Sequence, residues 1–329
     1  MTSTADTSDR LLFGVYPGGI TGDDAGGLAT GPADDPERIL EALRSLQSGD
    51  RPFLVRGYLG FTDPGDDRAH VQAPERVERY AGEGRALDLV AQFQSRSGDV
   101  AGFTAFVRDL VRRHGHRAAT LQVTEEPNVE GNPTLDGYYP NVRRAVVEGV
   151  LAAKDEARRQ GFGHLKVGFN TTPLFGPSAG FVAALVEAGG RPFLDALDYV
   201  GLDFFPDVFM PVSPDGLHDA VTGLLALHRA ERLTSAGIDP AVPLYITENG
   251  WPTGPERTAE RQAWVVETIV RSVEACRTTV NVGGYVHFAL RDADSSGPSL
   301  FHRFGLLADD YTPKPAFATY RKLVAELGR

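Results

Sequence analysis

Eight short segments rich in β-branched and aromatic residues recur along the chain, and their alternation with helical spacing limits the fold more than any other feature. They are Leu11–Tyr16, Phe53–Leu59, Ala86–Phe93, Ala119–Thr124, Leu165–Asn170, Tyr199–Phe205, Leu244–Thr247 and Gly284–Leu290. Several are nearly continuous apolar runs, as expected of strands covered on both faces. Between most of them lies a helical pattern. Phe103, Phe106, Val107, Leu110 and Val111 form one apolar stripe, with Asp99 as an N-cap and Gly115 closing it. Val142, Ala145, Val146 and Val150 repeat the pattern up to a stop at Gly161, Trp264 to Val273 mark another helix, and Tyr320 to Leu327 a last one. Strands alternating with helices specify a parallel sheet with crossover helices. An open dinucleotide-binding sheet needs G-x-G-x-x-G in its first turn. The turn from Pro17 to Gly27 lacks that spacing, and its two aspartates would repel a pyrophosphate. Strand count and a length of 329 residues favour an α/β fold of the closed kind, a single (β/α)8 TIM barrel over residues 11–329 after a polar leader at 1–10.

Charge narrows the partners. With 33 basic against 44 acidic residues the net charge is −11, and no basic run interrupts it, so nucleic acid and anionic membrane surfaces are disfavoured. The leader is polar and acidic rather than basic then apolar, and no window approaches a membrane span, which sets the expectation of a cytoplasmic protein. The single cysteine, Cys276, excludes an intramolecular disulfide and reads as inert packing. His114 and His116 have no carboxylate neighbour in sequence, so no metal site is expected.

In such a barrel, chemistry gathers where strands end and βα loops begin. Two ends carry carboxylates in apolar surroundings: Glu126, before Pro127 after the fourth strand, and Glu248 at the end of the seventh. Desolvating a carboxylate costs several kcal/mol, so two at one barrel mouth need a reason. Glycoside hydrolysis supplies one: a carboxylic acid protonates the departing oxygen while a carboxylate attacks the anomeric carbon or activates water. The bland alternative pairs each glutamate with an arginine. Arg56, at the expected end of strand two, is the cation placed beside Glu248.

These motifs resemble those of the large clan of retaining β-glycosidases with (β/α)8 barrels. Glu125-Glu126-Pro127 occupies the position of the clan's Asn-Glu-Pro, and Thr247-Glu248-Asn249-Gly250, running into Trp251-Pro252, matches its strand-seven motif. The stretch Tyr285 to Asp292, then Phe304 to Leu307 and Thr312 to Ala316, is similar to the clan's C-terminal end. The resemblance implies Glu126 as acid/base and Glu248 as nucleophile of a double-displacement hydrolase. The substrate would be a small soluble β-glycoside, cleaved without metal or organic cofactor.

Two departures stand out. Glu125 replaces the clan's asparagine, and a carboxylate only accepts. It is expected either to accept from a 2-hydroxyl or 2-ammonium group, or to turn away and pair with a surface arginine. The sixth strand ends in Phe204-Phe205, where many members carry a tyrosine whose hydroxyl touches the nucleophile. Asn170 is the expected hydroxyl contact from strand five, against a turn-forming role; Trp251 is the expected sugar platform and His287 a hydroxyl ligand, against a packing role for each. Asp292 would bind a cation or a sugar hydroxyl, or cap its loop. The loop from Val129 to Tyr139 would roof the pocket. Glu125 and the missing hydroxyl also motivate a rival reading, a degenerate barrel that binds a sugar or protein partner without hydrolysis.

Overall fold

Eight parallel strands close on themselves in the computed structural model, which describes residues 10–66 and 72–329. The leader expected at 1–10 lies almost wholly outside the described residues. The strands are β1 (Leu12–Val15), β2 (Phe53–Thr62), β3 (Arg85–Gln94), β4 (Ala118–Val123), β5 (Lys166–Thr171), β6 (Tyr199–Asp203), β7 (Leu244–Asn249) and β8 (Val282–His287). Closure comes from β1, which pairs with β8 from Leu12↔Gly284 to Val15↔His287 and with β2 at Gly14↔Leu54 and Val15↔Val55. The expected (β/α)8 barrel is the fold.

Seven α-helices lie outside the sheet among the described residues: α1 (Pro36–Leu46), α2 (Val100–His114), α3 (Val142–Gln160), α4 (Phe181–Ala196), α5 (Leu217–Leu227), α6 (Ala259–Val280) and α7 (Pro315–Leu327). Local chemistry sets their ends. Asp35 accepts from the Glu37 and Arg38 amides ahead of α1, Asp99 accepts from Gly102 N ahead of α2, and Thr258 caps α6 through Arg261 N. Gly161 ends α3 in the left-handed region, donating to Ala157 and Arg158 carbonyls. Between β2 and β3 the described crossover carries a single 3₁₀ turn, Val77–Tyr80, in place of an α-helix. No helix among the described residues is long and apolar enough to cross a membrane.

The barrel interior is layered. Leu12, Leu54 and Val286 fill one end, a polar layer around Arg56 and Asp88 follows, and Tyr16, Tyr58 and Val90 pack above it. Because β2 runs on to Thr62, Arg56 stands mid-strand rather than at a strand end. Leu54, Arg56 and Tyr58 share one face of β2 by strand periodicity, and that face is the interior.

Candidate active site

Arg56 is fully buried and anchors the site from below. Its Nη1 donates to Asp88 at 2.8 Å, its Nη2 to Gln122 at 3.0 Å and Glu125 at 3.3 Å, and its Nε to the Tyr58 hydroxyl at 2.8 Å. The same Nε lies 3.5 Å from Glu248 Oε1, and the Tyr58 hydroxyl donates a very short hydrogen bond to that oxygen. The hydroxyl that β6 cannot supply to Glu248 therefore comes from β2.

Strict strand alternation would turn one of Glu125 and Glu126 outward. It does not apply here, because β4 stops at Val123 and both Thr124 (φ 70°) and Glu126 (φ 45°) adopt left-handed backbone conformations. Such strain in residues with side chains persists only where surrounding bonds over-determine it. Asp136, buried in the following loop, accepts from the Glu125 amide at 2.8 Å, and Asn170 Oδ1 accepts from the Glu126 amide at 3.0 Å. Both glutamates thus reach one cavity, which removes the surface-arginine alternative for Glu125.

A second break in alternation re-aims β7. Its register against β6 shifts between Ile246 and Glu248, so Thr247 donates to Asp203 while Glu248 also faces inward. Asn249 ties this end down, donating to Phe204 O at 2.6 Å and accepting from the Tyr285 hydroxyl at 2.5 Å. Gly250 follows because a Cβ there would stand 1.8 Å from the Phe288 carbonyl oxygen.

Glu125, Glu126 and Glu248 line a cavity of about 880 Å³ at the barrel mouth, together with Asp203 and Gln92. Arg56 and Asn170 support it from beneath; Asn170 Nδ2 donates to Asp203 and stands 3.5 Å from Glu125. Burial raises the carboxyls of Glu125, Glu126 and Asp203 above the usual range, and repulsion within the cluster adds to this for the two glutamates. Glu248 is pushed up to about 7 by burial and by Asp203, against the pull of Arg56 and of the Tyr58 hydrogen bond. One oxygen each from Glu125, Asp203 and Glu248 lie within 4.8 Å of one another, a grouping able to hold a cation. The Arg56 guanidinium already supplies positive charge to two of them.

Three expected contacts lie elsewhere. Trp251 is buried in the core, its Nε1 donating to Asp207 O at 3.2 Å with Arg257 over its ring, so it offers no sugar platform. His287 follows the inward-facing Val286 and so points outward from β8, where its ring packs 5.1 Å from that of Tyr320. Both its nitrogens lack partners and burial lowers its pKa to about 3, which leaves it neutral. Asp292 is buried against Lys314 Nζ at 2.7 Å, Ser295 at 3.0 Å and the Gly305 amide at 2.8 Å, so it caps its loop. Phe288, stacked 5.2 Å from Tyr16, lines the cavity. The loop after β4 contributes Asn132, Thr134 and Leu135 to the wall.

The sequence reading missed Tyr58, Asp203 and Gln92. Tyr58 was legible as the residue two beyond Arg56 on one strand face. Asp203 was legible as the lone charge inside an apolar strand.

No protein-family model matches the chain, and no curated protein matches it. Solved structures do. A family 39 glycoside hydrolase from Bacteroides cellulosilyticus WH2 superposes with a TM-score of 0.62 at 15% identity, over 98% of this chain and 65% of that one. A β-glucuronidase from Ruminococcus gnavus, in complex with D-glucuronic acid, gives 0.61 at 13% identity over 95% and 48%. A β-glucosidase from Exiguobacterium marinum gives 0.58 at 14% identity over 98% and 99%. This chain thus spans about two thirds of the first and about half of the second. It has the barrel fold that these glycoside hydrolases share.

Proposed function

We propose that the protein is a retaining β-glycoside hydrolase acting on a small soluble glycoside, with Glu248 as nucleophile and Glu126 as acid/base. The observation that carries this reading is that these two strand-end glutamates face one cavity in different settings. Glu248 has the Arg56 guanidinium and the Tyr58 hydroxyl on one oxygen, which favour its ionised form. Glu126 is half-buried with no side-chain partner among the described residues, and its raised pKa suits a proton donor. In the first step Glu248 attacks the anomeric carbon and Glu126 protonates the leaving oxygen, so the glycosidic bond breaks as an ester forms. In the second, Glu126 takes a proton from water, which attacks the same carbon and returns Glu248 as a carboxylate. Asn170, which holds the Glu126 amide and Asp203, is a positioning residue. Glycoside hydrolases among proteins of the same fold add support.

A panel of aryl β-glycosides tests this. Turnover is expected, with a loss of about 10⁴-fold or more in Glu248→Gln. In Glu126→Gln the loss should be about 10²–10⁴-fold for poor leaving groups and smaller for activated nitrophenolates, which depart without a proton. Turnover that survives Glu248→Gln contradicts the assignment. The rival reading, a barrel that binds sugar without cleaving it, draws on the burial and the neighbouring Asp203 that push the Glu248 pKa up to about 7. Saturable sugar binding with no turnover at any pH would favour it.

A further inference from the structure

The cavity wall is one-sided in charge. Eight carboxyl side chains line it and, among the described residues, no lysine, arginine or histidine does; Arg56 behind Glu125 and Glu248, and Arg261 beside Asp207, offset part of that charge from outside the wall. At its outer end Asp24 and Asp219 are exposed, and no ion pair or hydrogen bond engages their carboxylates. Deeper in, Gln92 is 6% exposed, lines the same cavity, and its Oε1 is buried without any hydrogen-bond partner. A buried acceptor left unpaired costs about 1–3 kcal/mol, so this wall calls for a ligand that brings donors. The rest is apolar. Five large hydrophobic side chains are exposed on the described surface, and three of them, Phe175 (54%), Phe209 (59%) and Met210 (78%), belong to this cavity. They follow β5 and β6 and form one flank outside the carboxylate cluster. Apolar surface gathered at a cavity mouth marks a binding site, whereas scattered apolar residues need no explanation.

We propose that this flank is the aglycone site for an apolar, positively charged group, so that the substrate is a β-glycoside of a hydrophobic amine. Glycosides bearing carboxylate, sulfate or phosphate would be rejected. The word aglycone rests on the hydrolase reading above; the charge and polarity of the occupant do not. A flat apolar body covers Phe209 and Met210, an ammonium faces Asp24 and Asp219, and the sugar hydroxyls donate inward to Gln92 and the carboxylates. An anion entering the same space would be desolvated against like charges, with no cation on the described wall to receive it.

The test uses three probes of nearly equal shape: 1-naphthylmethylamine, 1-naphthalenemethanol and 1-naphthoate, titrated calorimetrically into the full chain. The amine should bind most tightly and the carboxylate most weakly, about tenfold or more apart at 20 mM salt and closer at 0.5 M, where screening shortens to a few ångströms. Asp24→Asn/Asp219→Asn should narrow that gap, and Phe209→Ser/Met210→Ser should weaken all three probes. Naphthoate binding as tightly as the amine, no binding of any probe, or titrations unmoved by either double variant would overturn the proposal. Inhibition of aryl β-glycoside turnover separates the two claims. Competitive inhibition by the amine supports both, whereas binding to a protein that turns over no glycoside leaves the pocket claim standing and removes the hydrolase.

Discussion

Tyr58 illustrates how one atom can serve two charges. Its hydroxyl accepts from Arg56 Nε and donates to Glu248, so a buried cation and the proposed nucleophile are joined through one oxygen as well as by direct approach. Removing it in Tyr58→Phe deletes a bond that lowers the Glu248 pKa. The acidic limb of the kcat/KM profile should therefore move to higher pH, and kcat/KM at neutral pH should fall about 10- to 100-fold, as for loss of one charge-directed donor. An unmoved acidic limb would show that Tyr58 does not act on Glu248. A second expectation concerns stability. The folded-state pKa of Glu248 is raised from the ordinary 4.5 to about 7, so its contribution is fully present below about 4.5 and is lost as pH rises through about 7. Glu248→Gln does not titrate. Its melting temperature should therefore gain on that of the wild type as pH climbs across that window. Thermal melts at several pH values check the sign; a constant difference would contradict the assignment.

Individual elements explain why some of the site was legible and some was not. Glu125, Glu126 and Glu248 could be found because a carboxylate at the end of an apolar run is conspicuous. Their common orientation could not, since it depends on the left-handed backbone after β4 and the register shift in β7. His287 and Trp251 do not line the cavity, for a related reason. At β8 the alternation does hold, and it turns His287 toward α7, while Trp251 lies beyond Gly250 and under Arg257. Asp292 and Lys314 account for part of the C-terminal motif in mechanical terms. Their buried pair fixes the segment leading into α7. Lys314→Met leaves the Asp292 carboxylate buried and without its cation, and should cost about 3 kcal/mol of stability. Neither residue lines the cavity, so kcat/KM of the folded protein should stay within twofold. Denaturant melts and kinetics on one preparation test both halves; a large kinetic loss in a stable variant would return Asp292 to the site.

At the scale of the molecule, the closed barrel brings into one cavity groups as distant in sequence as Glu126 and Glu248, and it holds one buried guanidinium among several acids. Closure was legible from the count of strands and helical stripes. The β2–β3 crossover was not, because its 3₁₀ turn carries no helical periodicity. The proposed reaction turns on which carboxylate meets the anomeric carbon. Labelling with a 2-deoxy-2-fluoroglycosyl fluoride of whichever glycone the panel turns over, followed by peptide mass spectrometry, reads this directly. One sugar equivalent on the peptide bearing Glu248 is the predicted result. A label on Glu125, Asp203 or another residue, or no label on a protein that turns the parent glycoside over, would contradict it.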